Sequence, residues 1–317
     1  MTDRCAHVVS LSAGKDSTPT LCYALETQEP SSVIAAFADT GNEHDFVYEY
    51  LDYLEAELGI KIVRLRRDFA PEWEHRREWL KSDAPRKDRA DRKAYTEAQI
   101  SRVLAVFERG PTGNPYLDLC VIKGRFPSRK AQFCTQFLKT EPLVEYQMSL
   151  LDSGQFDAVW SWQGIRRDEG QRRRFAKEFE EIGGGIYVNR PIVRWTAADC
   201  FEAMAAYGIK PNPLYSLGFD RVGCMPCINS GKADILNMAK RFPEHVERLR
   251  EWEALVAEAS WRGESSFFPN PDREEHLNKR GIINIVQWSR TSRGGKSFDM
   301  IADLPAKACE SSYGLCE

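Results

Sequence analysis

Along residues 7–207, short apolar runs alternate with stretches in which apolar residues recur every three or four positions. The runs His7–Leu11, Val33–Phe37, Lys61–Leu65, Ala158–Trp162 and Tyr187–Val193 have the length and β-branched content of buried strands. The stretches Asp16–Glu26, Phe46–Leu58, Glu97–Arg109, Glu141–Asp152 and Ala197–Tyr207 predict amphipathic helices. Such alternation predicts an α/β fold, a doubly wound parallel sheet that binds ligands beyond the carboxyl ends of its strands. The segment Trp73–Lys93 is charged and irregular and predicts a helical insertion or a lid. Beyond Tyr215 the alternation stops, and a helical stretch, Ala233–Ser260, leads into a Gly-rich tail. The expected division is a main domain over 1–220 and a small, mostly helical C-terminal subdomain over 221–317.

A chain of 317 residues can bury a large α/β core with a smaller appendage. Its formal net charge of −3 excludes a global polycation, yet basic residues cluster at Arg64–Arg67, Arg86–Lys93 and Arg166–Arg174. No apolar run approaches the ~20 residues that span a bilayer. The start, MTDRCAHVV, has no apolar core of a signal peptide. The expectation is a cytoplasmic protein with no membrane partner. In that setting the nine cysteines read as metal ligands or redox groups rather than disulfides. Cys22 and Cys200, inside expected helices, read as core residues.

The candidate chemistry lies at expected strand ends. Val8-Val9 leads into Ser12-Ala13-Gly14, then Lys15-Asp16-Ser17 and a helix. A strand, a turn of small residues and a helix N-terminus point backbone N–H groups and the positive end of the helix dipole at one place, and Lys15 adds a full charge. A triphosphate suits such a site; the plainer reading is an ordinary strand-to-helix turn. After the second strand, Asp39-Thr40-Gly41 can meet a ribose or an adenine edge, or cap the helix beginning near Asp45. After the fourth come Gly164, Arg166 and, further on, Arg172–Arg174. Guanidinium forks there can hold phosphate or sulfate, whereas a solvated basic helix face would do neither. Cys224-Met225-Pro226-Cys227 is a tight CxxC, with Cys134 far upstream. By spacing alone a CxxC is a zinc half-site, a redox pair or chance.

These motifs resemble a known family in their order. Ser12–Ser17 is similar to the loop of the PP-loop ATP pyrophosphatases, with Ala13 where Gly is usual. Asp39-Thr40-Gly41, Gly164-x-Arg166, Arg190-Pro191-Ile192, Trp195–Asp199 and Asn212-Pro213-Leu214-Tyr215 resemble the phosphoadenylylsulfate (PAPS) reductases. The segment from Cys134 to Lys139 and Pro142-Leu143, together with Gly223-Cys224-x-Pro226-Cys227, resembles adenylylsulfate (APS) reductases. The resemblance covers about residues 7–228. It implies an adenine nucleotide α-hydrolase-like fold and a site for ATP and Mg2+, with Ser12, Ala13, Gly14, Lys15, Asp16, Ser17, Asp39, Thr40, Gly164 and Arg166 at the nucleotide. It also implies catalytic roles for Lys15, Asp16, Arg166 and Arg173. Metal ligands would be Cys134, Cys224 and Cys227, holding a 4Fe-4S cluster or, as the alternative, zinc. Thr135 replaces the second cysteine of the family's pair, so the fourth ligand would be Cys120, Cys309, Cys316 or none.

Two departures bear on the reaction. The Lys15-Asp16-Ser17 ending favours ATP cleavage, which the reductases do not need. The tail Tyr313-Gly314-Leu315-Cys316 lacks their nucleophilic cysteine. The expected function is therefore ATP-dependent, AMP-forming sulfur transfer, with DNA or tRNA as acceptor and a cysteine desulfurase or thiol donor as partner. The alternatives are a PAPS/APS reductase releasing sulfite and a non-catalytic nucleotide-binding module.

Overall fold

The computed structural model describes residues 4–85, 95–171, 173–269 and 281–292. Along the chain the elements are β1 (Cys5–Leu11), α1 (Ser17–Thr27), β2 (Val33–Asp39), α2 (Asp45–Leu58), β3 (Ile62–Arg66), α3 (Ala70–Ser82), α4 (Glu97–Glu108) and α5 (Pro115–Lys123). A single helical turn, α6 (Phe133–Thr135), runs through a π-helical turn into α7 (Glu141–Asp152). Then come β4 (Ala158–Gln163), β5 (Phe179–Gly183), β6 (Ile186–Asn189), α8 (Ala197–Ala206), α9 (Pro213–Ser216), α10 (Lys232–Arg241), α11 (Pro243–Ala259) and α12 (Ile282–Ser289).

The chain forms two compact units that alternate in sequence. The first takes residues 1–66, 135–230 and 295–317, the second 67–134 and 231–294. The division is thus not one cut near residue 220: the expected C-terminal subdomain contributes only part of the second unit.

The first unit holds a six-stranded sheet in the order β3-β2-β1-β4-β6-β5, parallel except for β5. This is the expected doubly wound α/β sheet. Central β1 pairs with β2 on one side and β4 on the other, and its apolar residues are buried on both faces, as parallel strands require. Ala6 and Val8 share one face with Ala36, Ala38 and Val159, against Leu143 of α7. Small alanines there let the helix approach the sheet closely.

Three of the differences from expectation have a local cause. The strand expected over Tyr187–Val193 ends at Asn189, because Pro191 has no N–H for a ladder and Val193 N turns back to Arg190 O (3.2 Å). Edge strand β5 has no alternating apolar pattern and leaves Phe179 and Ile182 exposed, so its sequence gives no strand signal. The helix expected over Ala233–Ser260 is two helices, broken where Pro243 disfavours helical geometry at Phe242 (φ −132°, ψ 63°).

The second unit is helical. Trp73 of α3 donates its indole N–H to Phe107 O (2.9 Å) and packs on that ring. Tyr116 of α5 stacks on Trp252 of α11 and on Phe267. Glu253 of α11 is buried and accepts from Phe267 N and Ile282 N, both at 2.8 Å, which ties the segment after α11 and the first turn of α12 to one side chain. Part of the irregular Trp73–Lys93 segment is therefore helical, in α3; its residues 86–93 lie outside the described residues.

Candidate functional site

Between β1 and α1 the chain turns through Ser12–Asp16. Ser17 Oγ accepts from Ser12 N (3.0 Å) and lies 2.9 Å from Ser12 Oγ, so the loop is closed on itself by the first residue of α1. Ala13 sits at φ +63°, a left-handed conformation that costs a non-glycine residue about 1–2 kcal/mol. That is the position where Ala replaces the usual Gly. Thr18 N donates to Gly14 O (3.2 Å), which starts the helix beneath the loop.

Asp16 stands at the N-cap position of α1, but its carboxylate does not cap. It is fully buried and accepts from Arg166 Nε (2.7 Å) and Cys200 Sγ (3.4 Å). Arg166, likewise buried, also donates to Asp168 (2.5 Å). Burial works against its charge, yet Asp16, Glu169 and Asp168 together raise its pKa above the ordinary guanidinium value. Arg173 pairs with Glu169. Gly164 lies directly against the backbone of the Ser12–Ser17 turn: a Cβ there would stand 2.8 Å from Asp16 C and O and 2.9 Å from Ser17 N. Its lack of a side chain lets the two backbones approach closely.

From the α9 side, Asn212 Nδ2 reaches Ala13 O (3.5 Å) and Tyr215 Oη accepts from Lys15 N (2.8 Å). Lys15 Nζ lies 5.8 Å from the centre of the Tyr215 ring. Neither Asn212 nor Tyr215 was assigned a role from sequence.

The loop after β2 forms a second cluster. Asp39 accepts from Gly41 N (3.0 Å), Tyr48 Oη (2.8 Å) and Arg66 Nη1 (2.7 Å). Thr40 donates to Glu43 Oε1 (2.7 Å). Neither caps α2, whose N-cap is His44 through its ring Nδ1. Glu43 is buried, and desolvation raises its pKa although Lys139 and Thr40 oppose the shift. The CxxC turn packs on this loop: Met225 N donates to Asn42 O (2.8 Å), Asn42 Nδ2 to Pro226 O (3.0 Å), and Cys224 Sγ lies 3.6 Å from Glu43 Oε1. Burial pushes the Cys224 thiol well above its usual range, against the pull of Lys139.

Loop, arginines, Asp39-Thr40-Gly41 and the CxxC therefore share the first unit. The sequence named these groups but could not show Asn42, Glu43, Tyr48 and Lys139 joining them. Cys134 falls in the second unit, close enough to buried Cys120 for its charge to raise that thiol's pKa beyond the effect of burial. Among the described residues no three His, Cys, Asp or Glu side chains assemble as a metal-holding group. Of the expected ligands, Cys224 and Cys227 lie in the first unit and Cys134 in the second, and Cys309 and Cys316 lie outside the described residues. No described helix is long and apolar enough to cross a membrane.

The sequence is 40% identical, over 98% of this chain and 96% of the relative, to an "Uncharacterized 37.8 kDa protein in gpa 5'region" of Escherichia phage 186. It is 26% identical to an "Adenosine 5'-phosphosulfate reductase" of Mesorhizobium japonicum, over 68% of this chain and 63% of that one. A solved phosphoadenylyl-sulfate reductase from Candida auris superposes with a TM-score of 0.40 at 15% identity, covering 70% of this chain and 82% of that one. Residues 6–109 and 115–230, which include the loop, both arginines and the CxxC, match the phosphoadenosine phosphosulfate reductase domain. The chain belongs to the phosphoadenosine phosphosulfate reductase domain family.

Proposed function

We propose that the protein is an ATP-dependent, AMP-forming enzyme of sulfur transfer. The observation that carries this reading is the Ser12–Ser17 loop: closed by Ser17 at a helix N-terminus, braced by buried Asp16–Arg166, and carrying Lys15. Backbone donors, a helix dipole and a cation held at one strand end suit a polyphosphate. With ATP there, an acceptor oxygen attacks the α-phosphorus, pyrophosphate leaves, and a sulfur nucleophile then displaces AMP. Lys15 would neutralise phosphate charge. Arg166, already held by carboxylates, would orient Asp16 and the loop rather than meet substrate.

Mg2+ at the phosphates, and a 4Fe-4S cluster or zinc on Cys134, Cys224 and Cys227, remain part of the proposal. No step above runs through them, and Cys224 and Cys227 are the two of these thiols that share a turn. Iron and zinc content of protein purified without oxygen tests that part.

A nucleic-acid acceptor is supported by charge. The second unit carries 26 lysines and arginines against 20 aspartates and glutamates, the rest of the chain 18 against 27. A basic unit on an acidic chain suits a polyanion, whose binding weakens steeply with salt. A cysteine desulfurase or small thiol would supply the sulfur.

Named APS reductases among the relatives support a second reading, reduction of PAPS or APS to sulfite. One assay separates the two. Incubation with ATP should yield AMP and pyrophosphate, more of it with DNA or tRNA. Sulfite from PAPS or APS without ATP would overturn the first reading in favour of the second.

A further inference from the structure

We propose that Tyr215 is the positioning residue of the phosphate loop, holding Lys15 by its backbone and its side chain at once. The proposal rests on the reading of Ser12–Ser17 as a phosphate site.

The hydroxyl accepts from Lys15 N at 2.8 Å, across 200 residues of sequence. The ring centre stands 5.8 Å from Lys15 Nζ, inside the range of a cation–π contact. One side chain thus fixes both where the lysine leaves the loop and where its ammonium points. Tyr215 is itself braced. Its ring meets Phe201 of α8 edge-on at 5.3 Å. Its backbone N–H donates to Asn212 O (3.1 Å), and Asn212 caps α9 through Leu214 N (3.0 Å) while reaching Ala13 O. Asn212 and Tyr215 therefore grip the loop at two carbonyl and amide groups flanking Gly14, a residue that would otherwise leave the turn loose. A lysine gives up rotamer freedom when it is held, so a partner that orders it before a phosphate arrives raises affinity without touching the ligand.

The test is binding of Mg·ATP to the full chain by calorimetry, on wild type and on the Lys15→Ala, Tyr215→Phe, Tyr215→Ala and Lys15→Ala/Tyr215→Ala variants. Removing the lysine should weaken binding about tenfold or more, as expected for a charge-assisted contact. Tyr215→Ala should weaken it roughly five- to tenfold and Tyr215→Phe, which keeps the ring, about threefold. In the Lys15→Ala background the Tyr215→Ala change should cost only about threefold, the share of the hydroxyl on the backbone N–H of residue 15, because the ring then has no ammonium to hold. A purely structural tyrosine would give the full loss in both backgrounds, and that outcome overturns the proposal. So does a Tyr215→Phe variant equal to wild type. Should Tyr215→Ala fail to fold, the same cycle is run with Tyr215→Leu, which also removes both the ring and the hydroxyl. Wild-type protein without Mg·ATP binding would sink the phosphate-site reading itself, and Tyr215 with it; wild-type binding with additive variants sinks Tyr215 alone.

Discussion

An alanine at position 164 would set its Cβ within 2.9 Å of three backbone atoms of Asp16 and Ser17, none of which can swing aside. Gly164→Ala should therefore push the β4 loop off the Ser12–Ser17 turn. The expected loss is about 1–3 kcal/mol, typical of overpacking, read as a lower urea midpoint and accompanied by weaker Mg·ATP binding. At Ala13 the strain runs the other way. Glycine there relieves a left-handed alanine worth about 1–2 kcal/mol but loosens the unfolded chain by about 0.4–1 kcal/mol. Ala13→Gly should leave the melting temperature unchanged or raise it by a few degrees. Arg166→Ala leaves the Asp16 carboxylate buried without its cation, and breaking a buried pair costs about 3–5 kcal/mol. The variant should unfold at markedly lower urea; a loss below about 1 kcal/mol would mean that the pair is hydrated in solution. Ser12–Ser17 and Arg166 could be read from sequence because a turn of small residues and an arginine cluster are local signals. That Arg166 answers Asp16 across 150 positions, or that Tyr215 answers Lys15 across 200, has no local trace.

Most helices and strands of the sheet followed from periodicity, whereas the short buried helices α5 and α12 did not. Observed α2 and α7 lie within a residue of their expected ranges, and the first four strands within two. β5 was missed because an exposed edge needs no apolar face, and the α10–α11 break because Pro243 acts on the residue before it. Glu253 shows what an element can hide. Burial raises its carboxyl pKa, against hydrogen bonds from Phe267, Ile282 and Ser266 that favour the anion. The folded protein thus binds this proton more tightly than the unfolded chain does. Glu253 contributes stability that is fully present below the ordinary glutamate value and lost as pH rises through its raised folded value. Glu253→Gln should flatten that decline in urea midpoints measured from pH 4 upward. An unchanged slope would show that other groups set it.

Two units that alternate along the sequence cannot be separated by one cut. A chain ending at residue 230 keeps every strand of the sheet but deprives α3–α5 of α10–α12. Tyr116 loses its stack with Trp252 and Phe267, while Trp73 and Phe107 keep their contact with each other. Such a chain should bind anilinonaphthalene sulfonate strongly and be cleaved first within residues 67–134, with the sheet unit more resistant. Equal resistance throughout would mean that the second unit folds from its first half. Periodicity forecast the sheet but not this interleaving, because each helix of the second unit looks locally like any other amphipathic helix.

The same interleaving sets a timetable for synthesis. Residues 67–134 leave the ribosome nearly a hundred positions ahead of the first residue of α10. At about 5–20 residues per second, that is roughly 5–20 s during which Trp73, Tyr116 and Phe107 have emerged while the helices that bury them are still being made. Microsecond collapse is far faster than this delay. The nascent chain therefore has ample time to bury those rings against something else, and fast translation or a holding chaperone becomes a condition of yield written into the order of the segments.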